Sequence, residues 1–180
     1  MWSCKMRTKG QVWVETVIYT LIGIALIGLV LAILTPKIKE FRDRSVIEQT
    51  VESLNLLDSK IADVLDAPGN KRKVSMGLQR GMIVIEPLNN TIKYILEESN
   101  VRYSEPGIPL DIGRIKVLTA KLTDSYRITL TLHYNYNITF DGKDERDASQ
   151  FTPASIPYDF FVENRGVVNN NAWIDITEGS

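Results

Sequence analysis

One carboxylate stands where a charge is costly. Glu15 lies inside an apolar stretch that covers residues 12–34, and an ionisable group in such a place implies a partner or a function. Little else in the 180 residues offers chemistry. Cys4 is the only cysteine and His133 the only histidine, so no intramolecular disulfide and no cysteine–histidine metal site is legible. Nor is a Ser–His or Cys–His pair. His133 falls on the wet face of a predicted strand with no second ligand near it in sequence, which reads as a surface histidine. The acidic stretch Asp141-Gly142-Lys143-Asp144-Glu145-Arg146-Asp147 lacks the alternating Asp/Asn ladder of a calcium loop and reads as solvated. No metal, cofactor or enzymatic activity is expected. Two N-glycosylation sequons occur, at Asn89 and Asn137, each followed two residues later by a threonine; such sequons also arise by chance.

What surrounds Glu15 sets its meaning. Residues 16–34 run for 19 positions without a charge, and a bilayer core of about 30 Å needs roughly 20 apolar residues in a helix. The run is longer than the hydrophobic region of an ordinary secretory signal, about 7–15 residues, and no Ala-x-Ala follows it. A helix apolar on every side is rarely hidden in a small soluble domain, so a single membrane-spanning segment is expected. Lys5, Arg7 and Lys9 precede the run, while Lys37, Lys39, Arg42 and Arg44 follow it among acids. Counting Lys and Arg alone, the positive-inside rule does not orient it. The formal net charge of −1 and the lack of a basic patch with interleaved aromatics point to no nucleic-acid partner.

The string Lys9-Gly10-Gln11-Val12-Trp13-Val14-Glu15 resembles the class III signal peptide of archaeal type IV pilin-like proteins, over roughly residues 5–40. In that family a prepilin peptidase cuts between the Gly and the Gln, ahead of the hydrophobic segment. Here that junction is Gly10–Gln11, and Glu15 stands at position five of the mature chain. Trp13 takes the place of the family's usual Ser, and Tyr19 that of a common Leu. The resemblance implies that cutting removes the basic head and frees an α-amino group on Gln11, cationic at neutral pH because its ordinary pKa is about 8. It implies further that Glu15 meets that amine on a neighbouring subunit as the helices pack. Read without the resemblance, Glu15 is an interfacial carboxylate that reaches for the headgroups. Partners implied by the resemblance are the prepilin peptidase, other pilin-like subunits in a homo- or hetero-oligomeric filament, membrane lipids and a pilus assembly platform.

Beyond Thr35-Pro36 the pattern stays helical but changes character. Ile38, Phe41, Ile47, Val51, Leu54, Leu57, Ile61 and Val64 recur mostly at three- and four-residue steps, which predicts one apolar stripe. Lys37, Lys39, Asp43, Glu48, Glu52 and Lys60 are expected on the polar side. Pro36 is expected to bend the helix, and Ala67-Pro68-Gly69-Asn70 to end it. A rod of roughly 80 Å follows at 1.5 Å per residue.

From Lys71 the period changes to two. Residues 82–85 and 91–96 flank Asn89-Asn90 as a hairpin. Residues 115–118 lead through Thr123-Asp124 to one long strand over 127–140. Ile128, Leu130, Leu132, Tyr134, Tyr136, Ile138 and Phe140 face its buried side. Further strands are expected at 158–162 and 173–176, joined by an Asn/Gly-rich loop over 164–171. Tyr134, Tyr136, Phe140, Phe160 and Phe161 read as core.

The expected organisation is therefore α+β: a leader at 1–10, a membrane and assembly helix at 11–36, an amphipathic helix at 37–67, and an antiparallel β-sheet head at 68–180. Loss of the leader leaves 18 basic against 22 acidic residues, a mature charge of −4 suited to an exposed head. The expected function is a major or minor pilin, or a pseudopilin. It would enter the membrane as a single-pass protein with the N-terminus in the cytoplasm and the head outside, then join a surface filament. The rival expectation is a permanent single-pass anchor whose β-rich head binds the cell-surface layer or a ligand.

Overall fold

The structure is a computed structural model that describes residues 8–143 and 148–179, with side chains from Trp13 onward. One helix, α1, runs from Thr8 to Leu65. The chain divides into two compact units, Met1–Phe41 and Arg42–Ser180.

In the first unit α1 keeps its helical backbone through Pro36. Proline brings no N–H. One turn back, Thr35 donates its hydroxyl to the Leu31 carbonyl at 2.7 Å, and Thr20 bonds the Thr16 carbonyl in the same way at 2.8 Å. Hydroxyls folded onto their own helix need no water. The expected stripe begins later than its periodicity suggests. Ile38 and Phe41 fall in the first unit and are 62% and 72% exposed.

In the second unit the rest of α1 buries Val46, Ile47, Val51, Leu54, Leu57, Ile61 and Val64, at helical spacing on one side. The helix ends at Leu65, followed by Pro68 and by Gly69 in the left-handed region. Ten strands follow: β1 (Lys71–Met76), β2 (Met82–Glu86), β3 (Thr91–Ser99), β4 (Leu110–Ile112), β5 (Ile115–Lys121), β6 (Tyr126–His133), β7 (Asn137–Phe140), β8 (Ser149–Phe151), β9 (Tyr158–Val168) and β10 (Asn171–Glu178). They form two sheets rather than one. The larger, in the order β4-β5-β6-β3-β2-β8, is antiparallel throughout. The smaller, β1-β9-β10-β7, contains one parallel pair, β10 with β7. Ile92, Tyr94, Leu130 and Leu132 of the larger sheet, and Phe160, Val162, Ile174 and Ile176 of the smaller, share one core with α1.

The single strand expected over 127–140 is therefore two. At Tyr134 the chain leaves the larger sheet and re-forms as β7 in the smaller. Asn90, left-handed at φ 49°, bridges the gap: its carbonyl accepts the Tyr134 N–H at 3.0 Å and its side-chain oxygen the Ile138 N–H at 2.8 Å. Tyr134 and Ile138 are buried on either side of the crossing, but in β7 Thr139 is buried beside Ile138, so the strict alternation ends with β6. The Asn/Gly-rich loop expected over 164–171 is mostly strand. β9 continues to Val168, and only Asn169 and Asn170 make the turn, at φ 50° and 65°, the backbone of a tight hairpin.

Candidate functional site

Gly10 and Gln11 lie in the helical backbone of α1; their side chains fall outside the described residues. Glu15 follows Gln11 by four residues, one helical turn. It is exposed and has no hydrogen-bond or ion-pair partner among the described residues. Around it and beyond, fifteen large apolar side chains from Trp13 to Leu34 are exposed. The segment is long and apolar enough to cross a membrane. Gly23 and Gly28 meet nothing either, for a Cβ built on each has no atom within 4 Å. Helix backbone, carboxylate and apolar shaft are thus presented outward.

Where the segment gives way to the head, the structure places an acid that sequence pattern assigned to the polar side. Asp43 is 1% exposed. Its carboxylate pairs with Arg80 and accepts the Asn100 main-chain N–H at 2.7 Å and the Asn100 side-chain amide at 2.9 Å. These contacts tie α1 to the β1–β2 connection and to the end of β3. At the other end of the buried stripe, Asn164 donates its side-chain amide to the Val64 carbonyl at 2.9 Å, capping a helix terminus that would otherwise hold orphan acceptors. Asp58 binds Arg114 at 2.8 Å, and the guanidinium lies 5.2 Å from the Tyr134 ring.

The two sequons are far apart and differ. Asn89 sits exposed in the 3-10 turn Pro87–Asn89 and donates to Glu86 at 3.1 Å. Asn137 opens β7 and is half-buried. Their threonines are alike in being engaged. Thr91 donates to Glu86 at 3.1 Å, and Thr139 donates to the buried Asp175 at 2.7 Å while accepting the Trp173 indole N–H at 2.8 Å. Burial alone would raise the Glu86 pKa. The bonds from Lys93, Asn89 and Thr91, with the Lys93 charge, hold it below the usual carboxylate range instead.

His133 ends β6 on the exposed side. Asp141 and Gly142 form a left-handed turn closed by Phe140 and Lys143, with the Gly142 N–H donated to Asp175 at 2.8 Å. Residues 144–147 of the acidic stretch lie outside the described residues. Among the described residues no group of three or more His, Cys, Asp or Glu is arranged to hold a metal. No protein-family model, curated protein or solved structure matches the chain.

Proposed function

We propose that the chain is the precursor of a type IV pilin-like subunit, cut between Gly10 and Gln11 by a prepilin peptidase and assembled through the apolar half of α1 into a surface filament. One observation carries the reading: Glu15 stands exposed, with no partner among the described residues, on a helix whose apolar side chains are exposed all round, one turn from the residue that would become the new N-terminus. The Gly10–Gln11 junction and the order of helix then β-rich head support it. Lipid and neighbouring subunits are the two environments that suit such a helix. In lipid the carboxylate has no partner of opposite charge. Beside another subunit it has the Gln11 amine, and breaking such a pair by removing one member typically costs about 3–5 kcal/mol, enough to decide whether a subunit docks.

The test is the first residue and intact mass of the protein recovered from cells, together with filament yield. The expected chain begins at Gln11. Glu15→Gln is expected to leave processing intact and lower filament yield at least tenfold, whereas Gly10→Val blocks both. A native chain that is monomeric and starts at Met1, or fibres made at full yield by Glu15→Gln, sinks the proposal.

A further inference from the structure

The face of the smaller sheet turned away from the core carries a cleft of about 450 Å³, within the range of about 300–1,000 Å³ that holds small ligands. Strand alternation builds it. On β10, Ile174 and Ile176 enter the core. Trp173, Asp175 and Thr177 take the other face, where Asp141, Gly142 and Arg165 complete the lining.

Asp175 is the unusual member. A carboxylate on the outward face of a sheet normally meets water, yet this one is 1% exposed. Its two oxygens differ in what they hold. Oδ1 accepts the Thr139 hydroxyl at 2.7 Å and the Gly142 N–H at 2.8 Å. Oδ2 has only Arg165 among the described residues, at 3.4 Å, longer than the roughly 2.7–2.9 Å of a close charge-assisted bond. Arg165 is no tighter on its other side, with Glu163 at 3.3 Å. It is the extra residue of a bulge: Asn164 pairs with Ile174 and Gly166 with Trp173, and Arg165 has no partner across the strands. Bulges of this kind re-aim a side chain beside a site.

Trp173 gives its one polar atom, the indole N–H, to Thr139 at 2.8 Å. What the ring then offers the cleft is carbon. The Asp141 carboxylate and the Thr177 hydroxyl have no partner among the described residues.

These parts select a ligand by charge. Two carboxylates against one guanidinium repel an anion, and a bare cation at Asp175 would meet Arg165. What fits is a neutral molecule whose neighbouring groups both donate and accept, with an apolar face for an aromatic ring. A pyranose has that form, with vicinal hydroxyls on its edge and C–H bonds on its flat side.

We propose that this cleft binds a neutral saccharide. The C–H face lies on the Trp173 ring. Vicinal hydroxyls bridge Arg165, which donates, and the open oxygen of Asp175, which accepts, while Asp141 and Thr177 take hydroxyls at the rim. The site lies wholly within the unit Arg42–Ser180, so it stands whether or not the chain enters a filament.

The full chain tests it, held in lauryldimethylamine oxide micelles so that no detergent sugar competes. Trp2→Phe and Trp13→Phe leave Trp173 as the one indole. The probes are the methyl glycosides of glucose, galactose, mannose and N-acetylglucosamine. Trp173 emission is expected to change saturably with at least one of them, at a millimolar Kd, and saturation-transfer NMR to show the contact on the sugar's C–H protons. Arg165→Ala and Asp141→Ala, both changes at exposed side chains, are each expected to weaken that binding at least fivefold without moving the thermal unfolding midpoint. Absence of a saturable response to all four glycosides overturns the proposal. So does binding that both substitutions leave unchanged. A saturable response to calcium chloride or sodium phosphate with none to the glycosides makes the site an ionic one and overturns the saccharide assignment.

Discussion

Replacing Asp43 with alanine should destabilise the head by about 3 kcal/mol. The carboxylate is buried, and it satisfies the Arg80 guanidinium and two N–H groups of Asn100. Removing one member of a buried ion pair costs about 3–5 kcal/mol, because the other is left without compensation. Arg80 is 30% exposed in its side chain, so water recovers part of that loss and the low end applies. The Asn100 main-chain N–H is not so easily rescued, and an orphan donor contributes about 1–3 kcal/mol of the total. Asp43→Asn should cost less than Asp43→Ala, since its oxygen still accepts from Asn100.

The assay is thermal and urea unfolding of the compact unit Arg42–Ser180, extended back to Lys37 to protect the helix start. For a domain of this size about 3 kcal/mol corresponds to roughly 10 °C in Tm. The exposed pair Arg44–Glu48 is the control: Glu48→Ala should move Tm by a degree or two, as surface pairs contribute about 0–1 kcal/mol. A double-mutant cycle with Arg80→Ala isolates the coupling. If Asp43→Ala and Glu48→Ala shift Tm equally, burial of the acid is not what holds the β1–β2 connection and the β3 end onto α1.

Two further outcomes follow from the head. Burial pushes the Tyr94 phenol up to about 12, and burial followed by the Asp58 charge pushes Tyr134 higher still. Above pH 10 the unfolded chain sheds these protons while the native chain keeps them. Stability is then full below pH 10 and falls as pH rises toward 12, by up to about 1.4 kcal/mol per pH unit for each tyrosine. A urea midpoint flat to pH 11.5, or phenolate absorbance from Tyr94 before unfolding, would contradict this. Gly81 has φ +74°, and a Cβ there would lie 2.6 Å from the Ile95 carbonyl oxygen and 2.7 Å from the Tyr94 ring. Gly81→Ala should cost more than about 2 kcal/mol in a urea melt. Gly142→Ala, at φ +69° with nothing within 4 Å, should cost about 1 kcal/mol from backbone strain alone.

The long helix, its stop near Pro68-Gly69 and the change to two-residue period after it were readable because each is a local pattern. The division into two sheets was not. Tyr134 and Ile138 alternate correctly on either side of the crossing, and what redirects the chain is a hydrogen bond from each to Asn90, far away in sequence. Asp43 was read as a surface charge because its neighbours are charged, yet its partners lie 37 and 57 residues away. Asn164 looked like loop composition and is a cap on a helix end 100 residues earlier. Ile38 and Phe41 fit the head's period and belong to the other unit. Periodicity tells which side of an element is apolar, and it is silent on what covers that side. Glu15 stands out in the sequence alone because it conflicts with its own surroundings, and such a conflict shows without any partner in view.

If the chain assembles as proposed, that conflict also gives assembly a direction. Leaving a large apolar side chain in water costs about 1.5–3 kcal/mol relative to burying it, and fifteen are exposed between Trp13 and Leu34. The total is tens of kcal/mol, beyond the 5–15 kcal/mol that holds a typical domain together. If the chain is the pilin-like subunit proposed, it must therefore pass from lipid to filament without its helix meeting water. Between those two surroundings the hydrophobic term nearly cancels, since lipid tails are as apolar as leucine, and so cannot drive the step. On the proposed reading the Glu15 carboxylate does not cancel: lipid gives it no cation, and a cut neighbour would. On this reading an uncut chain gains nothing by leaving the bilayer, because the partner amine does not yet exist. Processing at Gly10 is then the event that makes docking favourable, and Glu15→Gln should erase the difference in assembly between cut and uncut chains.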